Sequence, residues 1–263
     1  MPLEPLYPVD VAPGYRSPYD VRFATPDSTR LAGFDAWPWN DASAQAVVAA
    51  SEWYTADTAT RWGSWGPRAR AYPAPSRPMD ATTARERVIS VAAALIGLDY
   101  QHHHVPAWNP PPTWPWKDVR SGRRGPGLDC SNFLGFVFSY ALGIDLPTGI
   151  TAQAELHRAP VEGRLRSPRV AQIEGGYDDL VAEAKPADIV YVRSDAGAVS
   201  HAVLWLGTCG TGLGTAPLVI DAHGASVLDA RRTPIPAGVR IRPYRRAGWY
   251  ARGTAWAHRI IAD

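Results

Sequence analysis

Apolar positions recur at helical spacing in the first half of the chain and at strand spacing in the second. Over residues 82–96, Val88, Val91, Ala92 and Leu95 fall on one helical face, and Gly97 is a natural stop. Over residues 128–142, Phe133, Leu134, Val137, Phe138 and Ala141 do the same, and Gly143 ends the run. A further helix is predicted over residues 41–54, capped by Asn40 or Asp41, with Ala46, Val47, Ala50 and Trp53 at helical spacing. After residue 185 the period changes. Strands are predicted at 188–192, 200–206, 218–222, 239–243 and 255–261, with Gly207 breaking the second. Helices followed by consecutive, antiparallel strands define an α+β domain. There is no internal repeat.

The segments between these elements are rich in proline. Pro73, Pro75 and Pro78 mark a linker. Beyond Tyr100-Gln-His-His-His104, prolines exclude regular structure through residue 126, and a long ordered loop of this kind is usually a binding loop or lid. Residues 155–185 are polar and mixed. The linker divides the chain into an N-terminal extension or small accessory region, 1–80, and a main domain, 81–263. The extension carries Trp37, Trp39, Trp53, Trp62 and Trp65, whose expected role is packing against the main domain.

Composition narrows the classes. The chain has 263 residues, 46% hydrophobic and 20% charged, which suits a globular protein with a sizeable core. A net charge of +2 is too small to point to nucleic acid or an anionic membrane. No apolar stretch approaches the roughly 18 residues of a membrane span. The N-terminus shows no basic start and no apolar h-region, so no signal peptide is visible. Cytoplasmic residence, another export route and prior processing all remain open. Two cysteines, Cys130 and Cys209, exclude a disulfide scaffold and a four-cysteine zinc site. Three consecutive loop histidines, His102 to His104, are poorly arranged for one ion, so no metal or cofactor is expected. One or two of them lining a cleft is the better reading. Arg240, Arg242, Arg245 and Arg246 read as a solvated face of the last hairpin.

Cys130 falls at the first turn of its helix, between the polar Asp129 and Ser131. A helix N-terminus carries partial positive charge and free N–H groups, which stabilise a thiolate and can hold an oxyanion. A nucleophilic cysteine needs a base, and the base needs a group to orient it. His201 opens an apolar strand. Asp221 and His223 lie on the next strand, two apart and therefore on one face, so either can orient His201. A cysteine at a helix start, then a histidine on a strand, then a polar residue on the following strand is the order of a cysteine hydrolase.

These residues sit in motifs that resemble the NlpC family of papain-like cell-wall cysteine peptidases. Asp129-Cys-Ser-Asn-Phe133 is similar to the family's Asp-Cys-Ser-Gly-Phe, and Asp145-Leu-Pro147 to the Leu-Pro that follows its helix. Pro186-Ala-Asp-Ile-Val190, His201-Ala-Val-Leu-Trp-Leu-Gly207 and Val219-Ile-Asp-Ala222 resemble three family strands in the right order. Tyr100 stands where the family has a tyrosine after its first helix. The resemblance covers roughly residues 82–263. It implies a papain-like fold, Cys130 as nucleophile, His201 as base, Asp221 at a third position usually held by histidine, and Tyr100 framing the oxyanion region with Asp129 and Ser131. It implies peptidoglycan stem peptides as substrate, often cut between D-glutamate and a diamino acid, and a cell-envelope or secreted location. Asn132 and Ala187 replace family glycines, the Cys-to-His spacing is long, and the 101–126 loop looks inserted; these changes bear on the cleft walls. His223 competes with Asp221 for the third role. The alternatives are an amidase or acyltransferase on another substrate, and an effector or binding protein with a specialised triad.

Overall fold

The structure is a computed structural model that describes residues 15–35, 37, 41–120, 123–158 and 170–263; Trp39 and the alternative cap Asn40 lie outside them. Two short helices occur early, α1 (Asp27–Arg30) and α2 (Ala56–Trp62). The helix expected over 41–54 does not form. Residues Ala42–Gln45 and Ala50–Glu52 make separate 3-10 turns, and Ala46 between them is extended and bridges to Ala69. Asp41 does cap the first turn, accepting from the Ser43 amide at 2.9 Å. Packing overrides a weak alanine-based preference here. Trp53 is buried, whereas Val47, assigned to the same helical face, is 60% exposed. The helix that does form, α2, begins at a reciprocal Thr55–Thr58 capping box.

The two long helices match expectation. Helix α3 (Ala81–Ala94) is capped by Asp80, and α4 (Cys130–Leu142) by Asp129. Gly143 ends α4 in the left-handed region, φ 67°, where a side chain is disfavoured. Among the described residues there are also three short helices, α5 (Ile150–Ala154), α6 (Tyr177–Glu183) and α7 (Trp249–Gly253). None is long enough to display a hydrophobic period.

The central sheet contains β1 (Ala171–Ile173), β2 (Ile189–Arg193), β3 (Val199–Trp205), β4 (Leu218–His223), β5 (Gly238–Pro243) and β6 (Thr254–Arg259). The order is β5-β4-β3-β2-β6-β1, and each neighbouring pair is antiparallel. Alternation sorts the side chains. Ile189, Tyr191, Leu204, Ile220 and Ile241 pack on one side against Val88 and Ile89 of α3 and Phe133, Leu134 and Phe138 of α4. Val190, Val192, Val203, Trp205 and Val219 form a second core with Tyr244 and Tyr250. Each such side chain, fully buried, contributes about 1.5–3 kcal/mol. Ala187, in the position of a family glycine, retains a glycine-like backbone with φ 67°. An antiparallel sheet backed by a helix that starts at Cys130 is the α+β, papain-like arrangement expected.

The described tryptophans of the first eighty residues pack on residues of the main domain, but in different places. Trp37 joins the α3–α4 core. Trp53 and Trp62 instead meet Val105, Trp108 and Trp114 of the proline-rich loop in a separate apolar cluster. That loop has no regular structure over its described residues and is held by this cluster.

Candidate active site

The start of α4 is tied down by polar side chains of its own first turn. Asp129 Oδ1 accepts from the Asn132 amide at 2.9 Å, and Oδ2 accepts from Asn132 Nδ2 at 3.0 Å. Ser131 Oγ donates to the Thr148 carbonyl at 2.7 Å. Asp129 and Ser131 are thus engaged in fixing the helix terminus on which Cys130 sits. Asn132, which replaces a family glycine, serves the same network.

His201 enters from β3. The β2–β3 register shifts between Val192 and Arg193, beside the Val192↔His201 pair, so the ladder bends where this side chain emerges. Cys130 lies close enough to His201 for its charge to bear directly on the ring. On the other side of the ring, His201 Nε2 lies 2.6 Å from Asp221 Oδ2. A carboxylate partner places the proton on Nε2, which leaves Nδ1 for the thiol. Burial opposes the imidazolium, but the neighbouring Cys130 and the hydrogen bond with Asp221 outweigh it and raise His201 to about 9.

Asp221 is fully buried. Besides His201, it receives Tyr250 OH at 2.8 Å on Oδ2 and Arg242 Nη1 at 2.5 Å on Oδ1. Arg242 also donates to the carbonyls of Pro236 and Gly238. Burial alone would raise Asp221; the Arg242 charge and the His201 hydrogen bond hold it well below the usual carboxylate range. This corrects the reading of the arginine group as a solvated face. Arg240 is 3% and Arg242 0% exposed, and only Arg246 is fully at the surface, paired with Asp178. The β4–β5 register sets Asp221 opposite Arg240 and Val219 opposite Arg242, so Arg242 reaches Asp221 diagonally on the same face.

His223 shares that face but takes a different partner. Its Nδ1 accepts from the Ala225 amide at 3.0 Å, in the turn after β4, and its ring lies edge-on to His201 with centroids 4.9 Å apart. Burial lowers it to about 4, so it is a neutral wall of the site. Tyr100 stands close to Cys130, Asp129 and Asp221. Burial, then those negative neighbours, push its phenol up, so its hydroxyl stays protonated and able to donate. Gly224 allows the Tyr100 ring to approach: an added Cβ would lie 3.3 Å from it.

The three histidines diverge. His102 Nδ1 lies 3.1 Å from Asp129 Oδ2, His103 bonds the carbonyls of Ser64 and Gly125, and the His104 ring packs near Trp65. Among the described residues, no group of three or more His, Cys, Asp or Glu side chains is arranged to hold a metal ion. Cys209 is a buried free thiol that burial pushes up to about 11.

Sequence reasoning missed Arg242, Tyr250 and Trp249 as parts of this centre, whereas one or two of the loop histidines were expected at the cleft and His102 lies beside Asp129. A signal existed for the first. Asp221 lies within an apolar strand, and a buried carboxylate requires a cation or several donors. Tyr250 and Trp249 come from α7, too short for its pattern to show.

No protein-family model matches the sequence, and no curated protein matches it significantly. The structure is similar to an NlpC/P60 family protein from Bacillus cereus at 18% identity and a TM-score of 0.40, over 73% of this chain and 42% of that one. It is similar to the NlpC/p60 domain of the peptidoglycan hydrolase SagA at 20% identity and 0.35, over 66% and 96% of the two chains. A P60 domain of an M. avium paratuberculosis antigen gives 16% identity and 0.39, over 70% and 97%. The chain thus spans less than half the length of the Bacillus cereus protein. Among the described residues, no helix is long and apolar enough to cross a membrane.

Proposed function

We propose that this protein is a cysteine peptidase that hydrolyses amide bonds in peptidoglycan stem peptides, at the cell envelope or outside the cell. The observation that carries the reading is Cys130 at a helix N-terminus beside His201, whose Nε2 lies 2.6 Å from Asp221 Oδ2. The resemblance of the motifs around Cys130, His201 and Asp221 supports the substrate class.

The reaction follows from the parts. The Cys130 thiolate attacks the carbonyl carbon, and the carbonyl π pair moves to oxygen. Helix geometry leaves the N–H groups of Cys130 and Ser131 without intrahelical acceptors, so they can bind this oxyanion, with Tyr100 OH beside them. His201 gives its proton to the leaving nitrogen as the C–N bond breaks, which leaves an acyl-thioester on Cys130. Water then gives a proton to His201 and attacks the thioester, and the thiolate departs with the imidazolium restored. Asp221 stays ionised throughout and holds the ring.

Mass spectrometry of digested muropeptides tests this. The wild-type protein should split stem peptides with uptake of one water. Cys130→Ala should lower the rate by about 10⁴-fold or more. Stem peptides left intact, while simple amides are turned over, would give the reading to an amidase of other specificity.

A further inference from the structure

A second concavity lies beside the proposed base. Trp249 of α7 sets its ring centroid 5.6 Å from His201 and 5.6 Å from His223. Trp249 also lines a cavity of ≈ 250 Å³ whose other walls are the β2–β3 turn and the end of α7. That volume is below the range of about 300–1,000 Å³ typical of drug-sized ligands, so it suits one amino-acid residue rather than a length of chain.

The walls are locked together. Gly253 presses so closely on β2 that an added Cβ would lie 2.6 Å from the Arg193 carbonyl. The turn itself closes through Ser194 N to Ala198 O at 2.8 Å and Gly197 N to Ser194 O at 2.8 Å. A rigid site of this kind binds without first ordering its own backbone.

Its charge is cationic and specific. Arg193 and Arg252 line it with a single acid, Asp195. Arg193 is steered by the Trp256 ring, 5.3 Å from its guanidinium carbon, and Arg252 by a hydrogen bond to the Ala247 carbonyl. A guanidinium has five N–H donors, so each retains donors for a ligand. Planar, doubly donating groups of this kind recognise carboxylates.

The reaction decides which part of the substrate comes here. His201 must reach the leaving nitrogen, so the leaving residue lies on the His201 side of the scissile bond, where Trp249 and the arginines are. We propose that this pocket is the leaving-group subsite and that it takes a terminal amino acid with a free carboxylate. The protein is then an exo-acting enzyme that releases one residue. This rests on the reading of Cys130 and His201 as nucleophile and base.

The test uses full-length Cys130→Ala protein and two probes, alanyl-γ-D-glutamyl-lysine ending in a free carboxylate or in a carboxamide, with affinities measured by calorimetry. The acid should bind about tenfold or more tightly than the amide. R193Q/R252Q should bring that ratio close to one, and R193K/R252K should retain most of it. Equal affinity for the two probes, or a ratio that survives R193Q/R252Q, overturns the inference. Cleavage by the wild-type protein separates the two claims. If neither probe is cut but the acid is still preferred in binding, the peptidase reading fails, and with it the leaving-group role, and the pocket stands only as a carboxylate-binding site. If both are cut equally fast, the subsite fails and the peptidase reading stands.

Discussion

A carboxylate with no solvent exposure is stable only if its charge is answered, and at Asp221 three side chains answer it: Arg242, His201 and Tyr250. The consequence passes to His201. Its imidazolium is held by Asp221 on one side and Cys130 on the other, and its value rises from 6.5 to about 9. The raised value fixes the sign of the pH dependence. The stability that His201 contributes is fully present below about 6.5 and is lost as pH rises through about 9. Asp221 is depressed, so its contribution is present above 3.8 and is lost as pH falls further. Cys130→Ala removes the largest of the influences that raise His201 while burial, the largest influence of all, still opposes its charge. The His201 ring resonance, followed by NMR, should titrate near 9 in the wild type and clearly lower in the variant. An unchanged midpoint would show that the thiol and imidazole do not interact. At this scale Cys130 and His201 were legible because each opens an element whose period is visible. The choice between Asp221 and His223 was not, because residues two apart share a strand face. Their hydrogen bonds differ: Asp221 is bonded to the His201 ring, and His223 turns to the Ala225 backbone, which supports Asp221 in the proposed role.

Among the elements, α3, α4 and five of the six sheet strands follow directly from periodicity, since each has enough residues to show its apolar face. The edge strand β1 and the short helices α5 to α7 do not, because three to seven residues are held by tertiary contacts rather than by their own pattern. The 41–54 segment failed for a related reason: Trp53 and Trp62 are committed to Trp108 and Trp114, some fifty residues away. That cluster admits a sharp test at Gly66. This residue has φ 71°, and an added Cβ would lie 2.3 Å from the Trp108 ring. Gly66→Ala should cost about 2–4 kcal/mol, from overpacking and the backbone together. Gly33→Ala is the control, because Gly33 has φ 80° but nothing within 4 Å of the added carbon. It should cost only the backbone part, about 1–2 kcal/mol. Denaturant titrations of the two variants should differ by the steric part. Equal losses would mean that Trp108 yields freely and that the loop is not pinned by this contact.

At the scale of the whole molecule, the division at residue 80 reads differently in sequence and in contacts. Proline content sets the first eighty residues apart, yet Tyr19 and Trp37 lie in the same apolar core as α3 and α4. The Glu86 carboxylate of α3, 4% exposed, accepts from the amides of Ala24 at 2.7 Å and Thr25 at 2.9 Å. Arg87, 3% exposed, donates to the carbonyls of Arg30 at 2.9 Å and Ala32 at 2.8 Å. Two of the three charges of α3, Glu86 and Arg87, thus have backbone partners from the other side of the proposed boundary, while Arg85 pairs with Asp188. The linker around Pro73 obscured this, because composition reports local stiffness and not what a segment packs against. Removing residues 1–80 would uncover the apolar residues of α3 that Tyr19 and Trp37 cover, at about 25 cal/mol per Å² of apolar surface, and would take away these partners of Glu86 and Arg87. The full chain is therefore expected to unfold in one cooperative transition, and the 81–263 fragment to melt far lower or to remain soluble only as a partly folded species. Calorimetry on both proteins checks this. A fragment that melts at the temperature of the intact chain, or two separate transitions in the intact chain, would establish the first eighty residues as an independent unit.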